Sequence, residues 1–168
     1  MQHRSSRLRH EFILGGQRSG KSRCAELRAQ RWLAQPGHSA VRVPSLQVDE
    51  APRELALAVS VQSTPARLIV IDCLALWLTN LLMPLHGEPL LEATLHDECE
   101  ALCAAIRQAP GPVVIASNEI VMGLSPMTLQ TRHFVDELGR LHQSVAAVCE
   151  RVTLMVAGIE VAVKREPA

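Results

Sequence analysis

Residues 15–22 read GGQRSGKS. Gly15, four residues, then Gly20-Lys21-Ser22 is the spacing of a phosphate-binding loop, and what flanks it decides the fold. Residues 12–14 ahead of it are apolar and short, as a buried strand is. Residues 21–34 behind it carry a helical pattern in which Leu27 and Trp32 are expected to cover the core. Strand, glycine loop and helix together turn backbone N–H groups inward at a helix N-terminus, where they hold a phosphate chain. A glycine-rich turn with a solvated lysine shares the short pattern, and the flanking strand and helix separate the two. Gly15, Gly16, Gln17, Arg18, Ser19, Gly20, Lys21 and Ser22 are therefore the candidate nucleotide-binding residues. Lys21 is expected to reach the β- and γ-phosphates, and the Ser22 hydroxyl to bind Mg2+.

The rest of the chain alternates in the same way. After the break at Gln35-Pro36-Gly37-His38, residues 40–43 read as a short strand and 52–61 as a helix with Leu55, Ala58 and Val59 on one side. LIVID at 68–72 is the pattern of a strand buried on both faces. Helical patterns follow over 74–83 and 90–108, the second with Leu91, Leu95, Leu102 and Ile106 in one stripe. VVIAS at 113–117 is another buried strand, and 128–150 a long helix aligning Phe134, Leu138, Leu141, Val145 and Val148. RVTLMVAG from 151 is expected to be the last strand. Such alternation predicts the α/β class, an open, mostly parallel sheet with helices on both faces. Residues 1–11 are expected to form a basic frayed tail and 12–168 a single P-loop domain.

A chain of 168 residues can bury a core without a disulfide or metal staple. Seventeen basic side chains balance seventeen acidic ones, so no global field draws nucleic acid or an anionic membrane. Cys24, Cys73, Cys99, Cys103 and Cys149 form no CxxC pair and read as buried, reduced thiols of a cytoplasmic protein. Cys99 and Cys103, four apart on one predicted helix, are read as core residues in preference to a metal pair. MQHRSSRLRH leads into no apolar run of signal-peptide length, so neither export nor membrane insertion is expected.

A P-loop enzyme also needs an acid near its metal. Asp72, closing LIVID, is the candidate, because a carboxylate at the carboxyl edge of a parallel sheet faces the ligand crevice. Capping of the following turn is its structural alternative. Asn118-Glu119 ends the next strand at the same edge and is a candidate for contacts to substrate or to the groups that hold it, with a purely structural role as the equal alternative. His96, His133 and His142, on predicted helices, read as solvated or satisfied imidazoles, and His86 lies in a loop without further signal.

GGQRSGKSRCAE, LIVIDCLALWLTNLL, SNEIVMGLSP and TRHFVDELGRLHQSVAAVCERVTLMVAGI, in this order, resemble the adenosylcobinamide kinase/adenosylcobinamide-phosphate guanylyltransferase family of cobalamin biosynthesis. The resemblance implies a RecA-like P-loop sheet, a transferase, and a homo-oligomer. It implies phosphorylation of the aminopropanol hydroxyl of adenosylcobinamide, with ATP or GTP as nucleotide. GMP transfer from GTP to the resulting phosphate would then pass through a guanylylated histidine. Carried over by resemblance, residues 15–22 bind the nucleotide, Lys21 and Asp72 are catalytic, Ser22 and Asp72 hold Mg2+, and Glu50 in VDEAP is an acidic nucleotide contact.

The chain departs from the family pattern between Ala34 and Glu50. Only about fifteen residues lie there, too few for a strand, the helix that carries the guanylylated histidine and its connections. That helix is therefore read as deleted, with the join near Val41-Arg42. His38 and Arg42 reproduce the four-residue spacing of the lost pair, but in a turn and strand, where such residues do not share a face as on a helix. His38 is the weak candidate and no guanylylated histidine is identified. Val121 and Ser125 stand where relatives carry glycine and an apolar residue. Two further readings stay open on these residues: a catalytically impaired nucleotide-binding remnant of the family, and a P-loop kinase for another small alcohol.

Overall fold

The computed structural model describes residues 9–44, 55–120 and 128–165. In chain order the elements are β1 (Glu11–Gly15), α1 (Lys21–Leu33), β2 (Ser39–Pro44), α2 (Leu55–Gln62), β3 (Arg67–Asp72), α3 (Leu74–Leu82), α4 (Glu92–Gln108), β4 (Val113–Asn118), α5 (Leu129–Val148), β5 (Arg151–Val156) and β6 (Ile159–Lys164). The strands form one sheet in the order β2-β3-β4-β1-β5-β6. All neighbours are parallel except β5 and β6. Helices lie on both faces of the sheet, as expected for the α/β class.

Alternate residues of each central strand serve the two faces. Phe12, Ile69, Ile71, Val113, Ile115 and Val152 point to the side where α2, α3, α4 and α5 supply Leu55, Leu74, Leu95, Leu138 and their neighbours. Ile13, Leu68, Val70, Val114 and Met155 point the other way, against Cys24, Ala25 and Trp32 of α1. Helix α5 begins where Thr128 accepts a hydrogen bond from the Thr131 N–H at 3.1 Å, satisfying a first-turn donor. Among the described residues no helix is long and apolar enough to cross a membrane.

Four expectations need correction. RVTLMV is not the last strand: Ala157 and Gly158, both at positive φ (50° and 80°), make a two-residue turn whose twist suits a hairpin, and β6 returns antiparallel to β5. Leu27 is on the outer side of α1, where Arg28 is turned inward instead. Leu91 is 76% exposed, since it precedes α4 and escapes its periodicity. His10 and Glu11 do not belong to a frayed tail, because His10 is buried and Glu11 opens β1. Residues 1–8, Glu50, Val121 and Ser125 lie outside the described residues.

An inward Arg28 and an N-terminal Glu11 explain each other. The guanidinium donates to Glu11 at 2.8 and 3.1 Å, and Arg28 and Glu11 are 3% and 1% exposed. Glu160 of β6 accepts from the same guanidinium at 2.6 and 3.1 Å, and Thr153 of β5 donates to Glu11 at 2.8 Å. A buried carboxylate and a buried guanidinium thus meet with most hydrogen-bonding positions filled, which fixes α1, and the loop before it, against three strands.

Candidate active site

Chain direction brings the candidate residues to one end of the sheet. β1 ends at Gly15, and residues 16–20 lead directly into α1. Gly20, the N-cap, sits at φ 99°, a conformation that a side chain would strain, and Arg18 is also left-handed at 54°. The loop closes on itself through Ser19 N–H to the Gly16 carbonyl (3.2 Å), and Cys24 N–H to the Gly20 carbonyl (2.9 Å) makes the first bond of α1. Lys21 is buried, its Nζ folded back to 3.5 Å from the Gly16 carbonyl oxygen. Ser22 is exposed on the first turn of α1. Ser19 Oγ is buried with no hydrogen-bond partner among the described residues, a polar group directed into the loop.

Asp72 closes β3 at the same edge, level with Ala116 of β4, while Gly15 is level with Asn118. Its side chain is 11% exposed and lies 4.0 Å from Arg42 Nη1. The Ser22 hydroxyl and the Asp72 carboxylate are hard oxygen donors, the type that Mg2+ takes, so the donor set fits such an ion. β4 lies between β1 and β3, so Ser117, Asn118 and Glu119 leave the sheet between the loop and Asp72. Glu119 N–H donates to the Gly15 carbonyl at 2.9 Å, and Asn118 Oδ1 is buried without a hydrogen-bond partner among the described residues.

His142 of α5 joins this edge, which its helical periodicity alone did not announce. It is buried, meets Phe12 edge-on at 5.4 Å, and places Nε2 2.8 Å from Ser117 Oγ. Nδ1 stands 3.8 Å from a Glu119 carboxylate oxygen. Burial pushes the imidazole down to about 4, against the opposing pull of Glu119. The available signal was its position four residues after Leu138, on the inward side of the helix.

His38 falls elsewhere. It precedes β2, whose Ser39 is level with Arg67 at the start of β3, so it lies at the amino edge, opposite the phosphate loop. Its ring stacks on Trp32 at 3.9 Å, and Nδ1 is 3.3 Å from the Trp32 carbonyl oxygen. Four strand residues span ~13 Å, so Arg42 alone of the pair reaches the carboxyl edge, beside Asp72. His96 is satisfied away from the loop: it lies 3.2 Å from the buried Glu137, which Arg140 also pairs. Glu92 comes within 4.8 Å of both.

A family profile described as "Cobinamide kinase / cobinamide phosphate guanyltransferase" matches residues 36–163. The chain is 40% identical to the bifunctional adenosylcobalamin biosynthesis protein CobP of Pseudomonas aeruginosa, over 94% of this chain and 98% of that one. It is 32% identical to the bifunctional adenosylcobalamin biosynthesis protein CobU of Salmonella typhimurium, over 91% and 98%. The first alignment spans 175 positions, more than the 168 residues of the whole chain, so the relative carries residues that this chain lacks.

Proposed function

This chain belongs to the cobinamide kinase / cobinamide phosphate guanyltransferase family, and from that premise we propose that it phosphorylates the aminopropanol hydroxyl of adenosylcobinamide. The nucleotide, ATP or GTP, lies with its phosphates on residues 15–22. Lys21 offsets the charge of the transferred phosphoryl group, and Glu50 contacts the nucleotide. Ser22 and Asp72 would hold Mg2+, which would supply neutralisation of the phosphate charge. The observation that carries this reading is the buried, unsatisfied Ser19 hydroxyl inside a closed glycine loop that shares its sheet edge with Asp72.

GMP transfer to adenosylcobinamide phosphate is the family's second activity. A second reading, a nucleotide-binding chain without that step, is favoured by the place of His38 at the opposite edge and by the length difference from the relatives. Five free cysteines support a cytoplasmic enzyme. The exposed Ile159, Val161 and Val163 of edge strand β6 support a homo-oligomer.

Incubation with α-labelled GTP tests the second half. No acid-labile label on the protein is expected; label that survives denaturation and is released by acid means that a histidine nucleophile operates.

A further inference from the structure

Ser117, Asn118 and Glu119 leave the sheet between the strand that feeds the phosphate loop and the strand that ends in Asp72. Glu119 is tied to Gly15 through its backbone at the carboxyl edge of the sheet, and its side chain is 13% exposed. Behind it stands His142, held by Ser117 and Phe12. With the Ser117 O–H donating to Nε2, the ring proton lies on Nδ1, which has no hydrogen-bond partner among the described residues and faces Glu119. Burial keeps that imidazole neutral near pH 7, so it offers Glu119 a hydrogen-bond donor without a full charge. The 3.8 Å separation exceeds a hydrogen bond, and contacts of this kind tighten when substrate closes the site.

We propose that Glu119 is the base of the phosphoryl transfer and that His142 is the residue that positions it, an assignment that rests on the kinase reading above. In the step, a lone pair of the substrate hydroxyl oxygen forms the new bond to the γ-phosphorus. The bond from that phosphorus to the β–γ bridging oxygen breaks, and the nucleoside diphosphate leaves with the electron pair. The hydroxyl proton passes to a Glu119 carboxylate oxygen and from there to water. Nothing is oxidised or reduced.

The test is turnover of adenosylcobinamide with ATP by the full chain and its variants, with nucleotide affinity and thermal melting read alongside. E119Q is expected to lower kcat ~100-fold, within the range of general-base catalysis, with nucleotide affinity unchanged. If E119Q does not fold, E119D, whose carboxylate is one methylene short, takes its place with a loss in kcat of the same sense. The histidine is tested by two amides. Asn at 142 places its N–H near Nδ1, and Gln places its own near Nε2, so H142N is expected to retain more kcat than H142Q. A merely structural histidine, needed for Ser117, reverses that order and overturns the positioning role. Wild-type kcat in folded E119Q overturns the base. A wild-type chain that never turns over refutes the kinase reading and this assignment with it, whereas an active wild type beside an equally active E119Q refutes the assignment alone.

Discussion

The N–H of Gly158 donates to the carbonyl oxygen of Ser19 at 3.0 Å, so the β5–β6 turn is fastened to the middle of the phosphate loop. Gly158 sits at φ 80° with open space where a Cβ would project. Gly158→Ala keeps the donor and is expected to cost only left-handed strain, about 1 kcal/mol, with nucleotide affinity nearly unchanged. Gly158→Pro removes the donor and cannot adopt the angle. A loss of nucleotide affinity confined to the proline variant, measured by fluorescent-nucleotide titration, is the expected outcome. Equal affinities mean that the turn does not support the loop.

Arg28 neutralises a carboxylate that water hardly reaches. Arg28→Met leaves Glu11 buried, among the described residues, beside Thr153 and a 3.9 Å approach from Arg151. A loss of about 3–5 kcal/mol in urea unfolding is expected, the cost of an uncompensated buried charge. Adding Glu11→Leu to that variant restores most of the loss, because the stranded charge disappears with it. Glu160, 43% exposed, is a lesser partner, and Glu160→Gln is expected to cost under about 1 kcal/mol.

His142 gives folding stability an acid limb. The folded protein holds the imidazole at about 4, against 6.5 for an ordinary histidine. Above 6.5 both states are neutral and stability is unaffected. As pH falls from 6.5 towards 4 the unfolded chain binds a proton that the folded chain refuses, so stability declines and then levels, by up to about 3 kcal/mol. His10, also lowered by burial, acts in the same sense. Thermal melts between pH 7 and 4 are expected to flatten in H142N relative to wild type; parallel curves mean that the imidazole protonates in place.

The thiols are expected to be inert in the native state. Burial pushes Cys24, Cys99 and Cys149 up to about 12, so almost no thiolate exists near neutrality. An aromatic disulfide reagent at pH 8 is expected to react slowly with folded protein and with all five cysteines after unfolding. Rapid native reaction means that a thiol is open to solvent.

How much of this was readable depended on range. The loop, Asp72 and the central strands are local patterns: unbroken runs such as LIVID need both faces covered, and the glycine spacing needs a strand before it and a helix after it. His142 and Arg42 were not readable as site residues, because each acquires its partner from a strand distant in sequence, Ser117 for one and Asp72 for the other. β6 escaped because its turn has Ala157 where a left-handed residue is needed, a weak turn signal, and because its side chains are exposed on both faces. Arg28 hides its inward role in the same way, since periodicity reads a charged residue as outward unless its buried acid is known.

The central claim is tested most directly by incubating the purified chain with adenosylcobinamide and γ-labelled ATP or GTP, beside Lys21→Ala. Expected is labelled adenosylcobinamide phosphate from the wild type, with formation at least about 100-fold slower in the variant. A wild-type protein that binds the nucleotide but transfers no label to adenosylcobinamide contradicts it.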